Sequence, residues 1–223
     1  MTFAEAYEDP PRVWGVGRIV VNGQVTPWPV SQADIEDEAD SQATALGALG
    51  LGAGDLVLVV AMLSEAVHAV PIEKAAGRCG ALYSSADATP SDAFRVAALV
   101  RQLEPKLVVG VTTAVLDGLD HLGRRIADVL RDVAMVVVAD APSEQRVRDA
   151  GIAPRRWAKL GPTSAFQVDG DGTFAYDATR WRVDEEDGEL LVTNLASRLT
   201  PARRLRTGLR GGCLDRPGRI ALG

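Results

Sequence analysis

Between Asp55 and Asp140 the sequence alternates four short, unbroken apolar runs with three amphipathic segments, a pattern that few architectures accept. The runs, at 56–62, 81–84, 107–111 and 135–139, lack the polar residue at every second position that marks a strand with one wet face. A strand that is apolar on both sides needs cover on both sides. The pattern therefore predicts an α/β fold, a parallel sheet flanked by helices and joined by right-handed crossovers. The segments at 64–78, 91–103 and 113–130 supply the helices. The last should break near Gly118 or Gly123, and Pro71 should kink the first or mark its true start.

The flanks read differently. Residues 18–21, Asn22-Gly23 and 24–26 are two β runs around an Asn-Gly turn, which predicts a hairpin. Ser31 is placed to cap a helix, with Asp34 and Glu36 in its first turn and Ile35, Ala39, Ala43, Leu46 and Leu49 as its apolar face. Gly50 and Gly52 should stop it. After Asp140 come a short polar helix at 143–150 and a loop rich in Gly, Pro and Arg, where the parallel sheet is expected to end. A hairpin of 166–168 with 173–176 and a further strand at 189–193 follow. The expected organisation is an α/β unit over residues 1–150, opened by the hairpin, and a small β-rich C-terminal unit with an Arg-rich tail over residues 151–223.

Charge and cysteine usage narrow the class. The longest apolar stretch, Leu56 to Leu63, is far too short to cross a bilayer. The acidic start, Met1 to Asp9, does not read as a secretory signal, so a cytoplasmic protein is expected. Cys79 and Cys213 are far apart and read as free thiols, with neither a disulfide nor a metal site implied. The formal charge is −6, yet from residue 195 onward there are seven arginines (Arg198, Arg203, Arg204, Arg206, Arg210, Arg216 and Arg219) against Asp215 as the one acid. Such a cluster can grip phosphate in a fork geometry. The commoner outcome is pairing with acidic segments such as Asp184 to Asp187 and Glu189.

Two stretches carry a family resemblance. The first runs from Leu46 to Val59 (LGALGLGAGDLVLV) and, after a helix, through Ala75 to Tyr83 (AAGRCGALY). It resembles the opening of the ANL superfamily of acyl-CoA synthetases, nonribosomal adenylation domains and luciferases, and Pro105 to Gly110 resembles their next strand. The second, Asp187 to Leu195 (DGELLVTNL) continuing through Arg204-Leu205-Arg206-Thr207-Gly208, is similar to the "GELvvTnL…RYRTGD" of the phenylacetate-CoA ligase branch. Together they span roughly residues 30–140 and 165–210, in the family's order. The resemblance implies a parallel sheet like that of the N-terminal subdomain and a history of AMP-forming ligation.

The departures are as informative. Family members carry a "TSGTTGxPK" phosphate loop between the two stretches, and the nearest string here is Gly161-Pro162-Thr163-Ser164. Only 47 residues separate Asp140 from Gly188, too few for the middle subdomain that holds the adenine site and the magnesium motif. The sequence stops shortly after Gly208, so the lid domain and its lysine are expected to be missing. Where the family pattern has a ribose-binding aspartate after Arg-Thr-Gly, this chain has Leu209, which cannot accept those hydrogen bonds.

Candidate chemical groups outside the resemblance are few. His68 beside Glu65 and His121 beside Asp120 could act as bases, but no nucleophile stands near them in a recognisable pattern, and packing or surface roles are commoner. Fold physics puts any ligand at the carboxyl ends of the parallel strands, where Met62, Ser64, Ser84, Ser85, Thr112 and Thr113 are expected. Ser64 and Thr113 would sit at helix N-termini, which favour anions, although plain caps are the more frequent use. Arg204, Arg206 and Thr207 are the candidates from the second motif. No cofactor is expected. The reading is a degenerate ligase-like protein, unable to adenylate, that binds an acyl-CoA, a carrier protein or another partner. The alternatives are a subunit completed by another chain and a structural homodimer module, and a homodimer is expected in solution in any case, its interface built partly from the β-rich C-terminal third through an open edge at 189–193. Neither a membrane nor a nucleic acid is expected as a partner.

Overall fold

The computed structural model describes residues 12–21 and 23–223, and it joins almost all the strands into one mixed sheet. Apart from that sheet, an N-terminal hairpin pairs β1 (Gly15–Val21) with β2 (Gln24–Val30), Val21 facing Gln24. Gly23 takes the left-handed φ of 73° that the tight turn needs. Asn22 and the acidic stretch Met1 to Asp9 lie outside the described residues. Helix α1 (Gln32–Ala48) opens with a capping box, the Ser31 hydroxyl accepting from the Asp34 amide and the Asp34 carboxylate from the Ser31 amide.

The strands of the sheet are β3 (Leu56–Val60), β4 (Leu82–Ala86), β5 (Leu107–Val111), β6 (Met135–Val138), β7 (Arg155–Leu160), β8 (Thr163–Phe166), β9 (Phe174–Ala175), β10 (Trp181–Glu186), β11 (Glu189–Asn194), β12 (Leu205–Cys213) and β13 (Arg219–Leu222). In space they run β10-β11-β12-β13-β9-β8-β7-β6-β5-β3-β4. Neighbours from β4 to β7 are parallel, and those from β7 to β10 are antiparallel. The other helices are α2 (Ala66–Arg78), α3 (Ala93–Leu103), α4 (Thr113–His121), α5 (Ile126–Leu130) and α6 (Ala141–Asp149).

Three of the four expected doubly covered strands, β3, β5 and β6, are present, whereas β4 is an edge strand with Leu82 and Tyr83 exposed. Leu58, Val60, Val108, Val111, Val136 and Val138 face a layer made by α3, α4 and Leu130. Val57, Val59, Leu107, Val109 and Val137 face α1 and α2 through Leu46, Leu49, Ile72 and Ala75. Each of these buried valines and leucines contributes about 2 kcal/mol relative to exposure. Gly110 shows how tightly β5 is seated: its φ is 95°, and a Cβ there would stand 2.1 Å from the Val60 carbonyl oxygen.

Several expectations are corrected. The parallel sheet does not end at Asp140, because α6 returns the chain to β7, where Arg155 and Arg156 pair in parallel with Val137 and Val138. The arginines hid that strand, yet Arg156 lies over the Phe174 ring at 5.3 Å and Trp157 is buried. Long basic side chains cover apolar surface while their heads reach out. The expected 81–84 strand runs from Leu82 to Ala86. Helix α2 starts at Ala66 and runs through Pro71, so the proline is not its beginning. The break in 113–130 falls at Gly123, whose φ is 65°. Finally, β11 is no edge, because β10 pairs with it on one side and β12 on the other. The true edges are β10 and β4.

Candidate functional site

Loops after adjacent parallel strands meet at the carboxyl end of the sheet. Thr112 caps α4, its hydroxyl accepting from the Val115 amide at 3.3 Å. Thr113 turns the other way: its hydroxyl donates to Asp140 at 2.6 Å and its amide donates to the same carboxylate at 3.0 Å. Asp140 in turn caps α6 by accepting from the Ser143 amide at 2.7 Å, and the Ser143 hydroxyl lies 3.2 Å from the Val111 carbonyl. Burial works to raise the Asp140 carboxyl, but the bonds from Thr113 and Ser143 outweigh it and hold the group below the usual carboxylate range. Arg146 closes the outer rim on Asp117 and Asp120.

The other predicted residues are spread more widely. Ser64 is exposed in a single 3-10 turn, Leu63–Glu65, and Met62 is half-buried just before it. Ser84 and Ser85 lie inside β4 and not beyond it, and the Ser85 hydroxyl donates to Glu73 at 2.6 Å. The residue at the end of β4 is Asp87, which sequence reasoning missed. Its amide donates to Asp92, and one carboxylate oxygen is buried without a partner. Arg204 and Arg206 are exposed and engage Glu186 and Glu189. Thr207 is buried in β12 with its hydroxyl on the Leu190 carbonyl. Five strands separate β12 from β5 in the sheet, and no hydrogen bond or ion pair joins the two sets of candidates among the described residues.

The segments that resemble nucleotide motifs are built for packing. Gly161 and Pro162 form the turn between β7 and β8, and all four residues of the Gly161-Pro162-Thr163-Ser164 string are buried. Their hydroxyls are engaged: Thr163 donates to Glu38, and Ser164 accepts from the Trp157 indole at 2.9 Å. Leu209 packs against the cluster of Ile19, Trp28, Phe174, Leu190 and Ile220.

A second polar centre was not foreseen. Along one stripe of α1, Asp34, Glu38 and Gln42 are all buried. The Glu38 carboxylate accepts from Thr163 at 2.9 Å, Trp181 at 2.6 Å and Arg198 at 2.9 Å. Arg198 lies over the Trp181 ring at 5.1 Å and also donates to the Asp34 carbonyl at 2.8 Å. Burial pushes the Glu38 carboxyl up, while Arg198, Trp181 and Thr163 pull the other way. Nearby His68 is buried with Nδ1 3.4 Å from the Ser164 hydroxyl. Burial first, and then the charge of Lys159, push its imidazole down to about 3, so it is a neutral core residue at pH 7. His121 is exposed at the end of α4. The only signal for the Glu38 centre was a carboxylate on the same α1 stripe as Ile35 and Leu46. Its partners are too distant in sequence to be read.

No protein-family profile and no curated protein sequence matches the chain. Solved structures do. One is 2-hydroxyisobutyryl-CoA ligase in an open conformation with 2-HIB-AMP and CoA, with a TM-score of 0.71 and 16% identity over 95% of this chain and 56% of that one. Another is a double mutant of o-succinylbenzoate-CoA synthetase from Bacillus subtilis, with a TM-score of 0.59 and 14% identity over 96% and 49% of the two chains. A third, the anthranilate-CoA ligase AuaEII with anthranoyl-AMP, has a TM-score of 0.56 and 12% identity over 95% and 47%. The chain thus spans about half the length of these proteins, and over that span it has the fold of the acyl-CoA ligases.

Proposed function

We propose that the chain is a ligase-like protein that does not adenylate and acts as a binding or regulatory protein for an acyl-CoA-type ligand or a protein partner. The observation that carries this reading is Leu209. It occupies the position where the resembling family has a ribose-binding aspartate, and its side chain packs into an apolar cluster. The Gly161–Ser164 string supports the same reading, because its hydroxyls serve Glu38 and Trp157 and leave no open cradle for phosphates. A ligand would enter at the carboxyl ends of β3, β4 and β5, where Ser64 and Asp87 still have polar atoms to offer. No described helix is long and apolar enough to cross a membrane. A cytoplasmic location fits the two free thiols, Cys79 and Cys213.

The test is acyl-adenylate formation and ATP–pyrophosphate exchange by the purified chain with a panel of carboxylic acids, alongside thermal shifts with CoA and acyl-CoAs. No exchange and a saturable acyl-CoA shift are expected. Exchange by the chain alone would overturn the reading.

A second copy of the chain is the other partner favoured by a specific observation. Edge strand β4 presents Leu82 and Tyr83, 65% and 53% exposed, and carries no charge, whereas edge strand β10 carries Arg182, Asp184, Glu185 and Glu186. Light scattering at micromolar concentration should then give twice the chain mass, and Leu82→Lys should return it to the single mass.

A further inference from the structure

Residues of the segment joining β11 to β12, together with Arg182 of edge strand β10, border an open surface concavity of about 470 Å3. That volume lies in the range of small-molecule clefts, about 300–1,000 Å3. Arg182 from β10, Arg198, Arg203 and Arg204 from the joining segment, and the polar Asn194 and Ser197 line it, and no carboxylate does. Three exposed guanidinium groups, those of Arg182, Arg203 and Arg204, beside one hollow are a permanently cationic surface suited to oxyanions, while the Arg198 guanidinium is turned to Glu38 and the Asp34 carbonyl.

The four arginines differ in how firmly they are held. Arg198 is fixed, its side chain 4% exposed and anchored on Glu38 and the Asp34 carbonyl. Arg204 is held in the left-handed region at φ 48°, its amide donating to the Thr193 hydroxyl at 3.0 Å. A non-glycine residue there is strained and needs support from its surroundings. Arg182 and Arg204 share Asp184, and Arg204 also meets Glu186, but these pairs are about half exposed and therefore weak. The Arg203 guanidinium is exposed and has no hydrogen bond or ion pair among the described residues. Among the described residues the hollow therefore has one free cation, Arg203, and two, Arg182 and Arg204, held by weak and exchangeable pairs, with Arg198 fixed on Glu38 beside them.

We propose that this concavity binds a phosphorylated small molecule through a diphosphate or phosphomonoester dianion. The site is distinct from the carboxyl ends of the parallel strands, and the inference stands whether or not the chain adenylates. The phosphate could belong to free pyrophosphate or to a CoA-type ligand, and titration calorimetry of the full chain with inorganic pyrophosphate and with CoA separates the two. Saturable binding of pyrophosphate is expected, weakened at least tenfold in Arg203→Glu and changed less than twofold in Arg216→Glu, an equal charge change at an exposed arginine outside the hollow. If CoA binds as well and loses affinity in parallel, the source is a CoA-type ligand. If only pyrophosphate binds, it is a free phosphate. Absence of saturable binding by either probe overturns the site, and so does an equal loss in the two variants, which would mark a diffuse cationic surface.

Discussion

The parallel and antiparallel halves of this sheet satisfy their buried polar groups by different means. At the parallel end, Thr112 serves its own helix, and Thr113, Asp140 and Ser143 close a circuit between the loops after β5 and β6. Each loop begins a helix whose first amides need acceptors, so caps supply most of the circuit. In the antiparallel half the donors to Glu38 come from Thr163, Trp181 and Arg198, which stand 125, 143 and 160 residues away in the chain. There the polar group is a cross-link between remote segments. The consequence is energetic: losing a cap frees groups near water, whereas losing one Glu38 partner strands a charge in the interior.

The largest expected effect follows from that difference. Arg198→Ala would leave Glu38, itself 4% exposed, without its cation, and should destabilise the protein by about 3–5 kcal/mol in urea unfolding. Replacing the pair together, Glu38→Gln with Arg198→Met, should cost clearly less, because no charge is then left unpaired. If Arg198→Ala costs no more than the removal of a cap, the cross-link is not what fastens the antiparallel half to α1.

His68 gives a second way to sharpen the comparison, since it sits where α2 meets β8 beside Ser164 and Trp157. Its imidazole falls from 6.5 in the unfolded chain to about 3 in the fold. Between those values the unfolded chain binds a proton that the native chain does not, so stability drops on acidification by up to ~1.4 kcal/mol per pH unit. Glu38, whose carboxyl is raised, works in the opposite sense as the pH falls toward 4.5. Wild type should therefore lose about 2 kcal/mol more than His68→Leu between pH 7 and pH 5, measured by urea midpoints at each pH. Equal acid slopes in the two proteins would mean that His68 is protonated at its ordinary value and open to water.

How much of this was legible follows the same division. The parallel strands could be read because an apolar run leaves a local mark, and Ser31 could be read because a cap lies within three residues of what it caps, whereas the cap of α4 fell on Thr112, one residue before the expected Thr113. β7 could not, because Arg155 and Arg156 disguise a strand whose burial depends on Phe174 and Trp157. Nor could the role of Glu38, since a carboxylate on an amphipathic helix reads as solvated until its remote donors are known. The second motif was recognised by resemblance, yet its residues Arg204, Arg206 and Thr207 proved to be separated from the strand ends by most of the sheet. Ser84 and Ser85 were misplaced by a two-residue error in where β4 ends.

The smallest expected effect tests whether the two halves are energetically separate at all. Thr112→Ala removes the cap of α4 and should cost about 1 kcal/mol, with Thr112→Ser restoring most of it, because the acceptor oxygen and not the methyl group meets the Val115 amide. Combined with Arg198→Ala, its cost should add to within about 0.5 kcal/mol, as for sites with no shared partner. A larger departure would show that the capped strand ends and the Glu38 cross-link respond to one another. The physical route is short: Trp157 and Phe166 belong to the same buried cluster as Val59 and Val109, so a shift of β8 on losing Arg198 would press on β5 just before Thr112. Additivity would instead mean that the cluster absorbs the shift by repacking, and that the polar groups of each half are sealed from the other.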